Sequence, residues 1–227
     1  MEKNIAILIA DLSGYTALTE THGPVTAADL IDRYVQIAEK CLVGGSSIHE
    51  RRGDEIMFVS DCPEMLLATA LKLEANTVCE ENFLQVHGGL HFGKVLKRAD
   101  SYFGSAINLA SRIAAKASPG TFWCSDDFIG SIEDKSVCGF LSKGNHTFKN
   151  ISGAKEVFEL QVERLSSSSI DPVCRMLIVD RQKAIYSPDN AGHYFCSAQC
   201  AELYHASHSF RQAFLGNSNY QISQAFN

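Results

Sequence analysis

Residues Ile5 to Thr16 read Ile-Ala-Ile-Leu-Ile-Ala-Asp-Leu-Ser-Gly-Tyr-Thr. An unbroken apolar run such as Ile5 to Ala10, stopped by a carboxylate and then by Ser13-Gly14, predicts a strand buried on both faces. Asp11 then lies at the strand end, where a core element meets solvent. A carboxylate there either caps the next helix or ligates a metal, and taken alone it favours the cap.

The rest of the chain supplies layers for such a strand. Tyr15 to Gly23 reads as a short helix. A second helix starts at Pro24 and Thr26, carries apolar residues at Leu30, Ile31, Tyr34, Ile37, Ala38 and Leu42, and ends at Gly44-Gly45. Ser47 to Ser60 reads as a β-hairpin with Gly53-Asp54 at its turn. Pro63 to about Glu81 is an amphipathic helix, Val86 to Leu96 a glycine-containing strand, and Ser105 to about Ala117 a helix. Phe122 to Ser125 is a short strand, Asp127 to Ile132 a short helix, and Val157 to Val162 a closing strand. Strands and helices alternate around one inserted hairpin, which predicts an α/β or α+β sandwich.

A chain of 227 residues holds one large domain, or a medium domain with a small one. Its formal charge of −6 argues against non-specific binding to nucleic-acid polymers or anionic membranes. No stretch approaches the ~18 apolar residues of a membrane span. The expectation is a soluble, cytoplasmic protein with no membrane and no nucleic-acid partner.

Of the eight cysteines, Cys41, Cys62, Cys79, Cys124 and Cys138 are scattered, as buried thiols in a reducing compartment would be. Cys174, Cys196 and Cys200 cluster behind Ser166 to Ser169, a run of serines that reads as a linker. The boundaries expected are a domain over 1–165, a linker over 166–170, a small unit over 171–215 and a polar tail over 216–227. The small unit is too short to be stable on its own core. Three thiols in it read as a soft-metal site that staples the fold; the plainer reading is three buried structural thiols.

Two further arrangements carry chemistry. If the hairpin lies beside the first strand, Asp11 and Asp54 converge, and paired carboxylates bind Mg²⁺ with the help of substrate phosphates. Asn108 and Arg112 stand at i and i+4 on one helix and share a face. An amide can orient a sugar, and a guanidinium can meet a phosphate bidentately. The plainer reading has Asn108 capping its helix and Arg112 pairing with a surface acid.

Taken together, these positions resemble the catalytic domain of class III adenylate/guanylate cyclases over residues 1 to about 163. Ile-Leu-Ile-Ala-Asp-Leu-Ser-Gly-Tyr-Thr is similar to that family's first metal strand, and Arg52-Gly53-Asp54-Glu55 to its second metal site. Tyr102-Phe103-Gly104-Ser105-Ala106-Ile107-Asn108-Leu109-Ala110-Ser111-Arg112 resembles its ribose- and transition-state-binding helix. Asn145-His146-Thr147-Phe148-Lys149 with Val157-Phe158-Glu159-Leu160 is similar to its last hairpin. The motif Arg51-Arg52-Gly53-Asp54-Glu55-Ile56 also resembles the diguanylate-cyclase hairpin, but Arg52 replaces that signature's first glycine.

The resemblance implies a ferredoxin-like, palm-type α+β sandwich followed by a small Cys-rich metal-binding unit. Asp11, Asp54 and the backbone carbonyl of Leu12 would hold two Mg²⁺ or Mn²⁺ ions. Asn108 would position the ribose, Arg112 would stabilise the transition state, and Lys149 would meet the triphosphate. The site would form between the subunits of a homodimer and convert a nucleoside triphosphate to a 3′,5′-cyclic nucleotide and pyrophosphate. At the base-reading positions the chain departs from the adenylate pattern, with Glu50 for lysine and Ser101 for aspartate. Glutamate accepts from guanine N1–H and the 2-amino group but cannot donate to adenine N1, so GTP is slightly favoured over ATP. The alternative is a catalytically degenerate module that binds nucleotide and senses metal.

Asp171-Pro172-Val173-Cys174-Arg175-Met176 and Tyr194-Phe195-Cys196-Ser197-Ala198-Gln199-Cys200 resemble the YHS domain, a relative of the metal-sensing TRASH domain, with Arg175 in place of its usual glycine. That resemblance covers about residues 170 to 212. It implies a zinc- or copper-type ligand set of Cys174, Cys196, Cys200 and a fourth partner, and regulation of signalling by metal or redox state. His193, His205 and His208 are the fourth-ligand candidates, and His193 is nearest Cys196 in sequence.

Overall fold

In the computed structural model, residues 1–162, 168–187 and 192–207 are described. Ser166, Ser167, His208 and the tail over 216–227 lie outside them. The opening run forms β1 (Glu2–Ser13). It is flanked on both sides by antiparallel partners, β3 (Glu55–Ser60) and β4 (Phe83–Arg98). Ile5, Ile7 and Leu8 are fully buried. Period-2 geometry sends Ile5, Ile7 and Ile9 to one face of the sheet and Ala6, Leu8, Ala10 and Leu12 to the other. The even face packs on α1 (Tyr15–Cys41) and α2 (Pro63–Val78) through Leu18, Leu30, Tyr34, Leu66 and Leu73. The odd face packs on Ala106, Ala110 and Ala114 of α3 (Ser105–Ala114). The result is the α+β sandwich that the sequence predicts.

The strand order is β2-β3-β1-β4-β6-β8-β7, where β2 is Ser47–Arg52, β6 Phe122–Ser125, β7 Gly139–Thr147 and β8 Ala154–Gln161. The short β5 (Ser101–Phe103) folds back on the end of β4, and α4 (Asp126–Gly130) follows β6 with Ser125 as its capping side chain. The hairpin of β2 and β3 turns at Gly53-Asp54, as expected. Small residues let α3 approach the sheet. A Cβ at Gly89 would stand 2.3 Å from the backbone nitrogen of Ala114 and 2.4 Å from the carbonyl oxygen of Ala110, so the helix backbone rests directly on β4.

The two expected helices, ending at Gly23 and restarting at Pro24, form one element with a break inside it. Gly23 takes φ 83° and ψ 169°, outside the helical region. Glycine tolerates that conformation, and Pro24 starts the next segment because it needs no N–H partner there.

Several boundaries differ from the sequence reading. Helices α2 and α3 stop at Val78 and Ala114, a few residues early, and β8 starts at Ala154 rather than Val157. The strand expected from Val86 begins instead at Phe83. Its extra residues pair with β10 (Met176–Ile178), with Met176 opposite Leu84 and Leu177 opposite Phe83. The partner that extends β4 thus comes from the C-terminal segment. That segment also contains β9 (Ser169–Ile170), β11 (Ile185–Tyr186), β12 (Tyr194–Phe195) and a helix over 198–207. Cys174, Met176, Phe195 and Cys200 join the same buried cluster as Leu12 and Phe83, which is how so short a segment finds a core. Among the described residues no helix is long and apolar enough to cross a membrane.

Candidate active site and metal centre

Asp11 sits near the end of β1, opposite His87 of β4. Ala10 pairs with Ile56 across the β1–β3 ladder, and the same register carries the Gly53-Asp54 turn to the end of β1. Asp11 and Asp54 therefore meet. Burial pushes the Asp11 carboxyl up to about 6, helped by the charges of Asp54 and Glu55, while the Leu12 amide pulls it back. Burial likewise raises Glu55, and Asp54 and Glu50 add to the rise against the opposing charge of Arg52. Asp11 Oδ1 is buried with no hydrogen-bond partner among the described residues. The cap of α1 is Gly14, with no side-chain hydrogen bond, so Asp11 does not cap that helix.

Crowded carboxylates around an orphaned acceptor favour a cation. Oxygen donors of this kind suit a hard divalent ion such as Mg²⁺ or Mn²⁺. Asp11 and Asp54 could hold it, and Leu12, whose carbonyl is the third expected donor, follows Asp11 in β1 with its side chain in the core.

Two neighbours were missed by sequence reasoning. His87 Nε2 stands 3.9 Å from Asp11 Oδ2, and its Nδ1 lies 2.9 Å from Ser13 Oγ. Burial lowers the pKa of His87, against the opposing charge of Asp54. Tyr34 is fully buried, and its hydroxyl has no partner among the described residues. Burial raises its pKa first, and Asp11, Asp54 and Glu55 add to the rise. Only strand pairing and helix packing bring these residues to Asp11, so no local pattern could mark them.

Asn108 and Arg112 both face solvent from α3. The plainer reading of each fails. The cap of α3 is Gly104, without a side-chain hydrogen bond, and Arg112 makes no ion pair among the described residues. Asn108 lines a cleft of about 100 Å³ with Glu50, Arg52, Glu55 and Ser111. An adjoining cleft is lined by Glu50, Asp100, Ser101 and Tyr102, so Glu50 and Ser101 share one recess. Glu50 is engaged there by Arg52, whose Nε and Nη2 donate to its carboxylate at 2.9 and 3.1 Å. Neither cleft is lined by Asp11, Asp54 or Arg112. Lys149 is exposed on the β7–β8 turn, where Phe148 and Ile151 pack against Leu109 and Ile113 of α3.

The second centre is sulfur-rich. Cys174, Cys196 and Cys200 come together, and the histidine that joins them is His22. His193 stays out of the cluster: its ring packs on Tyr204 at 5.1 Å, and its Nδ1 is buried without a partner among the described residues. His205 Nε2 lies 3.4 Å from Ser187 Oγ instead. His22 is on α1, immediately before the break at Gly23, and its contact with the cysteines spans 174 and 178 residues of sequence. Nothing in the sequence around Cys196 points to it.

The buried carboxylate of Asp171 builds this centre from behind. Its Oδ1 accepts from the amides of Val173 and Cys174 at 2.8 and 3.1 Å, and its Oδ2 from the amide of Cys196 at 2.8 Å. One side chain so fixes both cysteine-bearing turns. Hydrogen bonding with Cys174 and then burial push the Cys196 thiol up, and burial chiefly takes Cys200 up to about 12. Arg175 adopts φ 69°, the left-handed region that a glycine would occupy without strain.

No protein-family model matches the chain. A pH-sensitive adenylate cyclase of Mycobacterium tuberculosis is 30% identical over 162 residues, covering 70% of this chain and 41% of the relative. An adenylate/guanylate cyclase/hydrolase of Silicibacter pomeroyi shares its structure at a TM-score of 0.57 and 25% identity, covering 72% of this chain and 99% of that one. About seven tenths of the chain is thus similar in sequence and structure to adenylate/guanylate cyclase catalytic domains. An adenylate cyclase of Trypanosoma brucei has the same fold, with a TM-score of 0.65 at 17% identity over 69% of this chain and 87% of that chain. The chain spans about two fifths of the length of its mycobacterial relatives, 39% in an uncharacterised protein of M. tuberculosis that is 32% identical over 152 residues.

Proposed function

We propose that the chain is a cytoplasmic nucleotidyl cyclase that works as a homodimer by two-metal catalysis. The observation that carries this reading is an unsatisfied, buried Asp11 acceptor beside Asp54, together with an Asn108 and an Arg112 that stand exposed on α3. Within one chain the cleft that Asn108 lines leaves out both aspartates. A second subunit would close that gap, with Asp11 and Asp54 from one chain facing Asn108 and Arg112 of the other.

Bound Mg²⁺ or Mn²⁺ would lower the pKa of the substrate's 3′-hydroxyl and neutralise charge on the phosphates. Asp11 and Asp54 would hold those ions and so fix the triphosphate. Asn108 holds the ribose so that its 3′-oxygen lies in line with the α-phosphorus. The 3′-oxygen gives its proton to water and bonds to that phosphorus, and the bond from that phosphorus to the bridging oxygen of pyrophosphate breaks. Arg112 takes up the charge that develops on the α-phosphoryl oxygens. Lys149 meets the departing pyrophosphate.

Glu50 with Ser101 would read the base edge, which slightly favours GTP. The Arg52 fork on Glu50 must open or share that carboxylate for the readout to occur. That same fork is what favours the second reading, a domain that binds nucleotide without turning it over. The C-terminal unit, a YHS-like domain from about residue 171, would report metal or redox state to the catalytic domain.

The test is incubation of the full chain with Mn²⁺ and either GTP or ATP, resolving products by mass. Cyclic GMP or cyclic AMP with one pyrophosphate per turnover supports the enzyme. Binding of both nucleotides with no product from either would select the second reading.

A further inference from the structure

The four residues of the sulfur-rich centre have the dimensions of a coordination polyhedron. Their ligand atoms all lie within 4.8 Å of one another. Cys174 Sγ is 3.4 Å from Cys196 Sγ, which is 3.7 Å from Cys200 Sγ. His22 Nε2 is 3.7 Å from Cys196 Sγ and 3.5 Å from Cys200 Sγ. A tetrahedral ion with bonds of about 2.3 Å to sulfur and about 2.0 Å to nitrogen sets its ligands roughly 3.5–3.8 Å apart. We infer that the chain carries an interdomain Cys₃His zinc site, in which His22 of the N-terminal domain completes the set Cys174, Cys196 and Cys200 and ties the C-terminal segment to α1.

The donor set and its four-ligand, tetrahedral spacing favour zinc. Three thiolates and an imidazole in a tetrahedron suit Zn²⁺, whereas hard ions require oxygen and Cu²⁺ a tetragonal field. Four protein ligands leave no open position, so the site is structural. Cys174 and Cys200 are fully buried, as a closed site requires.

The surroundings are already built around such an ion. Asp171 holds the amides of Cys174 and Cys196, fixing the ligands from outside. The Thr26 hydroxyl donates to the His22 carbonyl at 3.0 Å, which pins the backbone of His22 across the Gly23 break. Gln199 donates to the Thr21 carbonyl at 2.9 Å, one residue from His22. At the other end of the same helical segment, Arg175 lies against Gly14, where a Cβ would come within 2.5 Å of the Arg175 Cβ. The C-terminal segment therefore grips both ends of the first part of α1, a stretch of about 12 Å by helical rise. Gly14 directly follows the Asp11-Leu12-Ser13 strand end. Zinc binding would set the position of that segment, a consequence that does not depend on the nucleotide reading.

The full-length chain, purified from zinc-supplemented cells, is analysed for metal by mass spectrometry and by Co²⁺ exchange. One zinc per chain is expected, with Co²⁺ giving the visible bands of tetrahedral thiolate coordination. His22→Ala should weaken zinc by more than the roughly 10–100-fold typical of lost outer partners. His22→Cys should restore the zinc with an altered Co²⁺ spectrum, and His193→Ala should change neither. Removing zinc from the wild type should speed amide exchange over residues 15–22. A wild-type chain that takes up no zinc overturns the proposal. So does a folded His22→Ala, checked by circular dichroism, with wild-type zinc affinity and spectrum. If His22→Ala does not fold, zinc-independent exchange at 15–22 in the wild type, or His22→Cys lacking zinc, overturns it.

Discussion

His87 and Asp11 face each other across β1 and β4, with Nε2 3.9 Å from Oδ2. The two are not a strong ion pair, because burial disfavours the charged form of each. Among the described residues Asp11 is thus left without a charged partner of opposite sign.

That fixes a pH dependence. The folded-state pKa of Asp11 is raised from its ordinary value of 3.8 to about 6. A raised carboxyl contributes stability that is fully present below its unfolded value and is lost as pH rises through about 6. The metal-free chain should lose this contribution as pH climbs from 4 to 7, and Mn²⁺ should restore stability only where Asp11 can ionise. Mn²⁺ affinity, read by calorimetry, should rise about tenfold per pH unit below 6 and flatten above it. In Asp11→Asn this dependence should flatten, and Mn²⁺ should no longer raise the melting temperature.

Arg112→Ala should separate catalysis from stability. Arg112 is exposed and unpaired among the described residues, so thermal unfolding should shift by no more than about 0.5 kcal/mol. Turnover should fall by roughly 100-fold or more, as expected for a group that stabilises charge only in the transition state. An equal fall in melting temperature and rate would make it a structural residue.

Base choice rests on the Glu50 and Ser101 recess. Glu50→Lys combined with Ser101→Asp should move the kcat/KM ratio from GTP toward ATP by at least about tenfold. An unchanged ratio would remove both residues from base reading.

Asp171→Ala tests how the C-terminal segment is held. The carboxylate accepts three backbone amides and is fully buried. Its loss should destabilise the chain by about 3 kcal/mol or more and loosen the Cys174 and Cys196 turns. Amide exchange at Val173, Cys174 and Cys196 reads this directly.

What the sequence showed was local. The apolar run of β1, the Gly53-Asp54 turn, the Gly23-Pro24 break and the Asn108/Arg112 face are written in neighbouring residues, because periodicity and turn chemistry act over one turn or one strand. What it hid depends on pairing between distant segments. The early start of β4 at Phe83 needs β10 as a partner. His87 is recognisable beside Asp11 only once their register is known. His22 reaches Cys200 across 178 residues, so choosing His193 by nearness in sequence followed the wrong measure of distance.

The central claim, a metal-dependent cyclase site shared by two subunits, is tested most directly by mixing two inactive variants. Asp11→Ala and Arg112→Ala chains are purified separately, combined, and assayed with Mn²⁺ and GTP or ATP beside the wild type. Each variant should be nearly silent alone, and the mixture should recover cyclic nucleotide formation through heterodimers holding one intact site. A wild-type chain that forms cyclic product from neither nucleotide would contradict the account. So would an active wild type whose variants recover nothing when mixed.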